Sequence, residues 1–180
     1  MKPKTLFKIL SVMLALSFAS TVTANHSWGS YHWARTANPF SLKLGDNVSF
    51  SWDAALATAS SDWTQSSALD TSVVATLSNK SCRAVSGRVE VCNKTYGNNG
   101  WLGLAQIWIN SAGHITQGVA KMNDTYFNTA PYNTLAWKQF VMCQEIGHTL
   151  GLDHQDEDFD NPNIGNCMDY ANDTTTKQHP

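Results

Sequence analysis

The segment VMCQEIGHTLGLDHQ, residues 141–155, constrains this chain more than any other stretch. Gln144 and His148 stand four residues apart, so on a helix their side chains leave the same face. Two donors so placed reach one metal ion, each at roughly 2 Å. Gly151 accepts the left-handed backbone that ends helices, which turns the chain sharply and returns His154 as a third donor. Three protein donors leave one position open, as in a catalytic rather than a structural zinc site. Glu145 then faces a water on the metal, whose pKa the metal lowers toward neutral, and serves as the base that takes its proton. The plainer alternative is a helix end carrying two solvated histidines, and the matched spacings of Glu145, His148, Gly151 and His154 weigh against it.

The rest of the chain sets the context. At 180 residues it suits one domain with a buried core. The basic start MKPKTLFK, the apolar ILSVMLALSFA and the small residues Val22 and Ala24 read as a secretory signal peptide over residues 1–24, leaving 25–180 as the domain. The apolar run is short for a bilayer span and no second one follows. The expected product is therefore secreted, extracellular or periplasmic in a bacterial host, and not held in a membrane. A net charge of -2 gives no electrostatic reason to expect nucleic acid or an anionic membrane as partner. Four cysteines suit two disulfides in a secreted chain, with three pairings open. Cys82 and Cys92 flank RAVSGRVEV, so a local hairpin staple is the simplest link, which leaves Cys143 and Cys167 for each other.

Along the domain, a flexible start leads to a strand in SYHWAR and then through FSLKLGDNVSFSW to a helix from Asp53 to about Gln65, with Asp53 as its cap. TSVVATLS is β-branched and reads as a strand. GWLGLAQIWIN and HITQGVAKMN alternate as two neighbouring strands joined by a turn at residues 111–113. Asn133 or Thr134 caps a second helix that runs to Gly151, and the polar tail after it reads as loop. Strands with one early helix, a long helix and an irregular tail make an α+β arrangement.

Beyond His154 comes NCMDYAN. With the preceding motif it resembles the metzincin zinc metalloproteases, whose long zinc motif is followed by a tight turn carrying a methionine beneath the metal. Met168 is the corresponding residue. The pair GWLGLAQIWIN and HITQGVAKMN is similar to the strands preceding the active-site helix in matrixin-like members, and GHTLGLDH is close to the matrixin pattern. The chain departs from that pattern at three places. Gln144 replaces the first histidine, Gln155 stands where matrixins have serine, and Asp169 separates Met168 from Tyr170, a spacing found in astacins and serralysins. The resemblance is to the clan rather than to one subfamily.

The resemblance implies a twisted mixed sheet, an early helix, an active-site helix and an irregular C-terminal segment with a Met-turn. It implies zinc held by Gln144, His148 and His154, Glu145 as general base, and a Tyr170 hydroxyl that donates to the oxyanion of the cleaved carbonyl. A Cys143–Cys167 link would then tether the Met-turn to the metal helix. The space between Ala24 and the first strand leaves no room for a blocking propeptide, and with all four cysteines paired no cysteine latch is expected. Asp156, Asp158 and Asp160 present oxygens at alternate positions, which suits calcium as well as plain solvation. The expected function is a secreted, monomeric zinc endopeptidase acting on protein or peptide. The alternative is a zinc-binding module that kept the fold and lost peptidase activity when glutamine took the first ligand position. Retention of Glu145 favours the enzyme, because a pure binding module has no use for a carboxylate there.

Overall fold

A computed structural model describes residues 26–76 and 81–174; residues 1–24, read above as a signal peptide, lie outside the described residues. One mixed sheet is built from β1 (His32–Trp33), β2 (Phe40–Asn47), β3 (Leu69–Ala75), β4 (Arg88–Lys94), β5 (Gly103–Ile109) and β6 (His114–Asn123). Its order is β1-β6-β4-β2-β3, with β5 also on β6. Every pairing is parallel except that of β5 with β6. Parallel neighbours need a crossover, and α1 (Asp53–Trp63) supplies it between β2 and β3. A short helix, α2 (Asp124–Phe127), follows β6, and α3 (Leu135–Thr149) packs on α1, β5 and β6. The class is α+β with a mostly parallel sheet, and 150–174 contains neither helix nor named strand.

The long helix forms where its sequence says it should. The Thr134 side chain accepts the Trp137 N–H at 3.3 Å, capping the first turn. From Phe140 to Thr149 every residue is buried, because the sheet and α1 cover part of the helix and the tail returns over the rest. Gly147 is where the tail approaches. A Cβ there would lie 2.7 Å from Trp63 Cζ2 and collide with Met168 Sδ. The helix stops at Gly151, whose φ of +93° lies in the left-handed region, and a Cβ on it would also meet the Tyr31 carbonyl.

Both disulfides pair as the sequence suggests, Cys82 with Cys92 and Cys143 with Cys167. Cys82–Cys92 is not a hairpin staple, however. β4 lies between β2 and β6, so both of its edges are taken and residues 81–87 have no strand to pair with. The link instead fastens a loop to a central strand, where Cys82 and Cys92 pack on Val119. The helix α1 is not capped by Asp53 either. A 3-10 turn, Phe50–Trp52, runs directly into it, and Asp53 occupies its first turn. Nor is the start of the domain loose. Trp28 N–H donates to the Gly151 carbonyl at 2.9 Å, Asp153 N–H donates to the His26 carbonyl at 3.0 Å, and Ser27 bridges Leu152. Residues 26–28 thus lie along the turn that ends α3. Among the described residues no helix is long and apolar enough to cross a membrane.

Candidate metal centre

Gln144, Glu145 and His148 emerge from α3 into a cleft of about 390 Å³, whose lining also includes His154 and Tyr170. The opposite wall includes Gly103, Leu104 and Ala105 at the start of β5. All five chemistry-bearing residues singled out in the sequence therefore share one cavity. Met168 lies beneath it, buried against Gly147.

The two histidines point at each other. His148 Nδ1 is 2.9 Å from the Leu152 carbonyl, and His154 Nδ1 is 2.9 Å from Glu157 Oε1. Both partners are acceptors, so each Nδ1 donates and each ring turns its Nε2 inward. Those two nitrogens are 3.0 Å apart. Facing lone pairs repel unless a cation or a proton sits between them. Burial holds the His148 imidazole below its ordinary pKa, the Leu152 carbonyl opposing this and the neighbouring His154 adding to it, so protonation of the His148 ring is disfavoured. Two imidazoles on one tetrahedral zinc place their nitrogens about 3.3 Å apart, close to what the rings already adopt. The donor set fits a zinc ion.

Gln144 lines the same cleft as the two histidines. Its Nε2 donates to the Asp169 carbonyl at 2.9 Å, which commits the nitrogen and leaves Oε1 as the atom the amide can offer a metal. The hydrogen bond ties Gln144 to the segment that follows Met168. Glu145 is also buried, and burial pushes its carboxyl up to about 8, a backbone hydrogen bond from Ala105 opposing the shift. The close approach of β5 needs Gly103, since a Cβ there would lie 2.6 Å from Glu145 Cδ. Tyr170 stacks on His154, with ring centroids 5.0 Å apart, yet stays 41% exposed at the cleft mouth.

Asp153, His154 and Glu157 bring ligand atoms within 4.8 Å of one another. Their bonds make them supports of the histidine pair rather than a rival centre. Glu157 holds His154 Nδ1, while Asp153 Oδ1 accepts the His154 main-chain N–H at 3.0 Å and Trp28 Nε1–H at 3.1 Å. Such outer partners fix the tautomer and orientation of a ligating ring. Asp156, Asp158 and Asp160 do not converge with one another. Asp156 accepts the Asp158 N–H and Asp158 accepts the Asp160 N–H, each along its own loop.

Trp28 packs on the candidate site and was missed by sequence reasoning. Its ring lies parallel to that of His148, with centroids 5.0 Å apart and 3° between the planes. Nothing in the motif points to a tryptophan so far upstream. The only sequence signal is its place just past the expected signal-peptide cut. Trp28→Ala frees one face of His148 and removes a donor from Asp153, so zinc affinity should fall by roughly tenfold or more. Trp28→Phe keeps the stacking and should lose less; competition with a chromophoric chelator measures both, and equal affinity in all three proteins would exclude the role. No protein-family model and no curated protein sequence matches this chain.

Proposed function

We propose that this protein is a secreted zinc-dependent endopeptidase of metzincin type. The observation that carries the reading is the pair of inward Nε2 atoms 3.0 Å apart, each ring fixed by an acceptor on its far nitrogen. Gln144, His148 and His154 would hold the ion. When bound, zinc supplies a Lewis acid that brings the pKa of water toward neutral and polarises the carbonyl to be cleaved. Glu145 takes the proton of the attacking water and passes it to the leaving amine; its raised pKa suits a group that must both accept and give a proton near neutrality. Among the described residues β5 pairs with β6 alone, and its start lines the cleft, where an extended peptide can add as a further strand. The two disulfides and the N-terminal basic-then-apolar segment support export.

Zinc content of the purified mature protein, measured together with casein hydrolysis with and without a chelator, tests the reading. Stoichiometric zinc with chelator-sensitive hydrolysis supports it. Zinc without hydrolysis would replace it by the binding-module alternative, and no zinc would remove both.

Gln144 has a sharper consequence. Gln144→Ala should weaken zinc binding by at least roughly tenfold, and Gln144→His should tighten it, because imidazole is the better donor. Each histidine ligand must lose a proton below its ordinary pKa, whereas an amide has none to lose. Log affinity should therefore fall by about two units per pH unit below about pH 6.5 in the wild type, and by about three in Gln144→His. Unchanged affinity in Gln144→Ala would make Gln144 a bystander.

Tyr170 caps His154 at the cleft mouth and in this reading donates its hydroxyl to the oxyanion. Tyr170→Phe keeps the ring stacking and removes only that hydroxyl. A fall in kcat of roughly tenfold to a hundredfold with little change in KM is expected. Unaltered kinetics would leave Tyr170 as a wall residue.

A further inference from the structure

The segment between His154 and Tyr170 folds back on itself below the cleft. Asp156 and Asp169 form a parallel bridge, Tyr170 N–H donates to the Asp156 carbonyl at 3.2 Å, and Gln155 N–H donates to the Met168 carbonyl at 2.7 Å. Asn161 closes the loop, its Nδ2 donating to Asp156 Oδ2 at 2.7 Å. Asp156, Asn161 and Asp169 are thereby brought into one group.

Among the described residues, the buried side-chain oxygens with no hydrogen-bond partner are Asn161 Oδ1 and Asp169 Oδ1. Both belong to this group. Asp169 is 0% exposed, and its other oxygen, Oδ2, is occupied by the Ile164 N–H at 2.9 Å. A buried carboxylate oxygen without a partner is a costly feature that calls for a specific explanation. Rotating the Asn161 amide does not supply one, because it would turn Oδ1 toward the carboxylate of Asp156. Nor, among the described residues, does a basic side chain reach either oxygen. From residue 152 to 174 the sequence contains Asp153, Asp156, Glu157, Asp158, Asp160, Asp169 and Asp173, and no lysine or arginine.

We infer that this loop binds a calcium ion through Asp169 Oδ1 and Asn161 Oδ1, with Asp156 supplying the second negative charge. The donors are all oxygen, which favours a hard cation over zinc. Two carboxylates neutralise one divalent ion, and main-chain carbonyls and water fill the remaining positions of the six to eight that calcium takes. So few charged ligands place the affinity near that of extracellular calcium modules, about 10⁻⁴–10⁻³ M. The site stands apart from the zinc reading but reaches its geometry. The residue that offers the orphaned carboxylate oxygen also offers the main-chain carbonyl that holds Gln144 Nε2. Calcium would fix the Met-turn segment and, through it, the orientation of the first ligand.

The test is direct cation binding by the full mature chain, preloaded with zinc and with zinc content measured on every sample. Terbium luminescence, sensitised by the neighbouring Tyr170, reports occupancy, and displacement by calcium gives the affinity. Calcium should also raise the thermal midpoint. Asp169→Asn should weaken calcium binding at least tenfold. Asn161→Asp adds a carboxylate in place of an amide and should tighten it by about tenfold, a gain that misfolding cannot imitate. Absence of calcium binding in the wild type up to about 10 mM, well above the affinity range of such modules, would overturn the inference and leave water as partner of the two oxygens. Equal calcium affinity in the wild type and both variants would overturn it as well. Zinc occupancy, read separately, shows whether the peptidase reading fails with it.

Discussion

Glu145→Ala is expected to reduce peptide hydrolysis by roughly a thousandfold or more while zinc stays near stoichiometric. The carboxylate is held in the cleft by the close approach of β5 at Gly103 and by the Ala105 main chain, and Gln144, His148 and His154 line the same cleft. In the proposed mechanism its removal takes away the base and leaves Gln144, His148 and His154 in place. Casein or quenched-peptide hydrolysis, with zinc measured on the same preparation, decides the matter; substantial residual turnover would take Glu145 out of the role. A second consequence concerns the zinc-free protein. The folded state binds the Glu145 proton more tightly than the unfolded chain does, with a pKa raised from 4.5 to about 8. The stability it contributes is fully present below the unfolded value and is lost as pH rises through the folded one. Unfolding of the zinc-free wild type should become easier between those limits, by on the order of a few kcal/mol. Glu145→Gln has no such titration and should show a flatter profile across the same window.

Replacing Cys143 and Cys167 together by alanine should cost about 3.5 kcal/mol, the chain-entropy value for a loop of this length. The two cysteines are 24 residues apart in sequence and both are buried, so the link constrains the unfolded chain across the segment that carries Gln144, His148 and His154. For a domain of this size the thermal midpoint should fall by about 7–14 °C, as calorimetry would show. The lesion reaches the site as well, since Cys143 precedes Gln144 and Cys167 precedes Met168. Loss of the tether frees the segment whose Asp169 carbonyl holds the Gln144 amide, so zinc affinity should fall along with stability. A midpoint within about 2 °C of wild type would show that packing of Met168 against Gly147 and Trp63 holds the turn without the bond.

The metal helix, its end at Gly151 and the common cleft of Gln144, Glu145 and His148 were legible because the relevant signals are local. A four-residue spacing places two donors on one helical face whatever the helix packs against, and glycine at a helix stop is a property of backbone sterics. The antiparallel pair β5 and β6 was legible for the same reason, a short turn between two alternating segments. Cys82–Cys92 was read correctly as a link and wrongly as a hairpin. Sequence gives the separation of two cysteines, but only the sheet order shows that β4 has no free edge for residues 81–87. Asp53 looked like a cap because capping residues are judged from their neighbours, and the preceding 3-10 turn that displaced it depends on how Trp52 is buried.

Three features at the centre belonged to tertiary structure alone. Trp28 reaches Asp153 across 125 positions of sequence. The Nε2 atoms of His148 and His154 come within 3.0 Å only because Leu152 and Glu157 hold the far side of each ring. The Oδ1 atoms of Asn161 and Asp169 became conspicuous only when burial left them without partners. Sequence by itself determined which donor chemistry this chain carries and which stretch becomes the helix that presents it, since both follow from residue type and short spacing. Which distant groups orient those donors was decided by packing, because contacts between segments far apart in the chain leave no periodic trace in the order of residues.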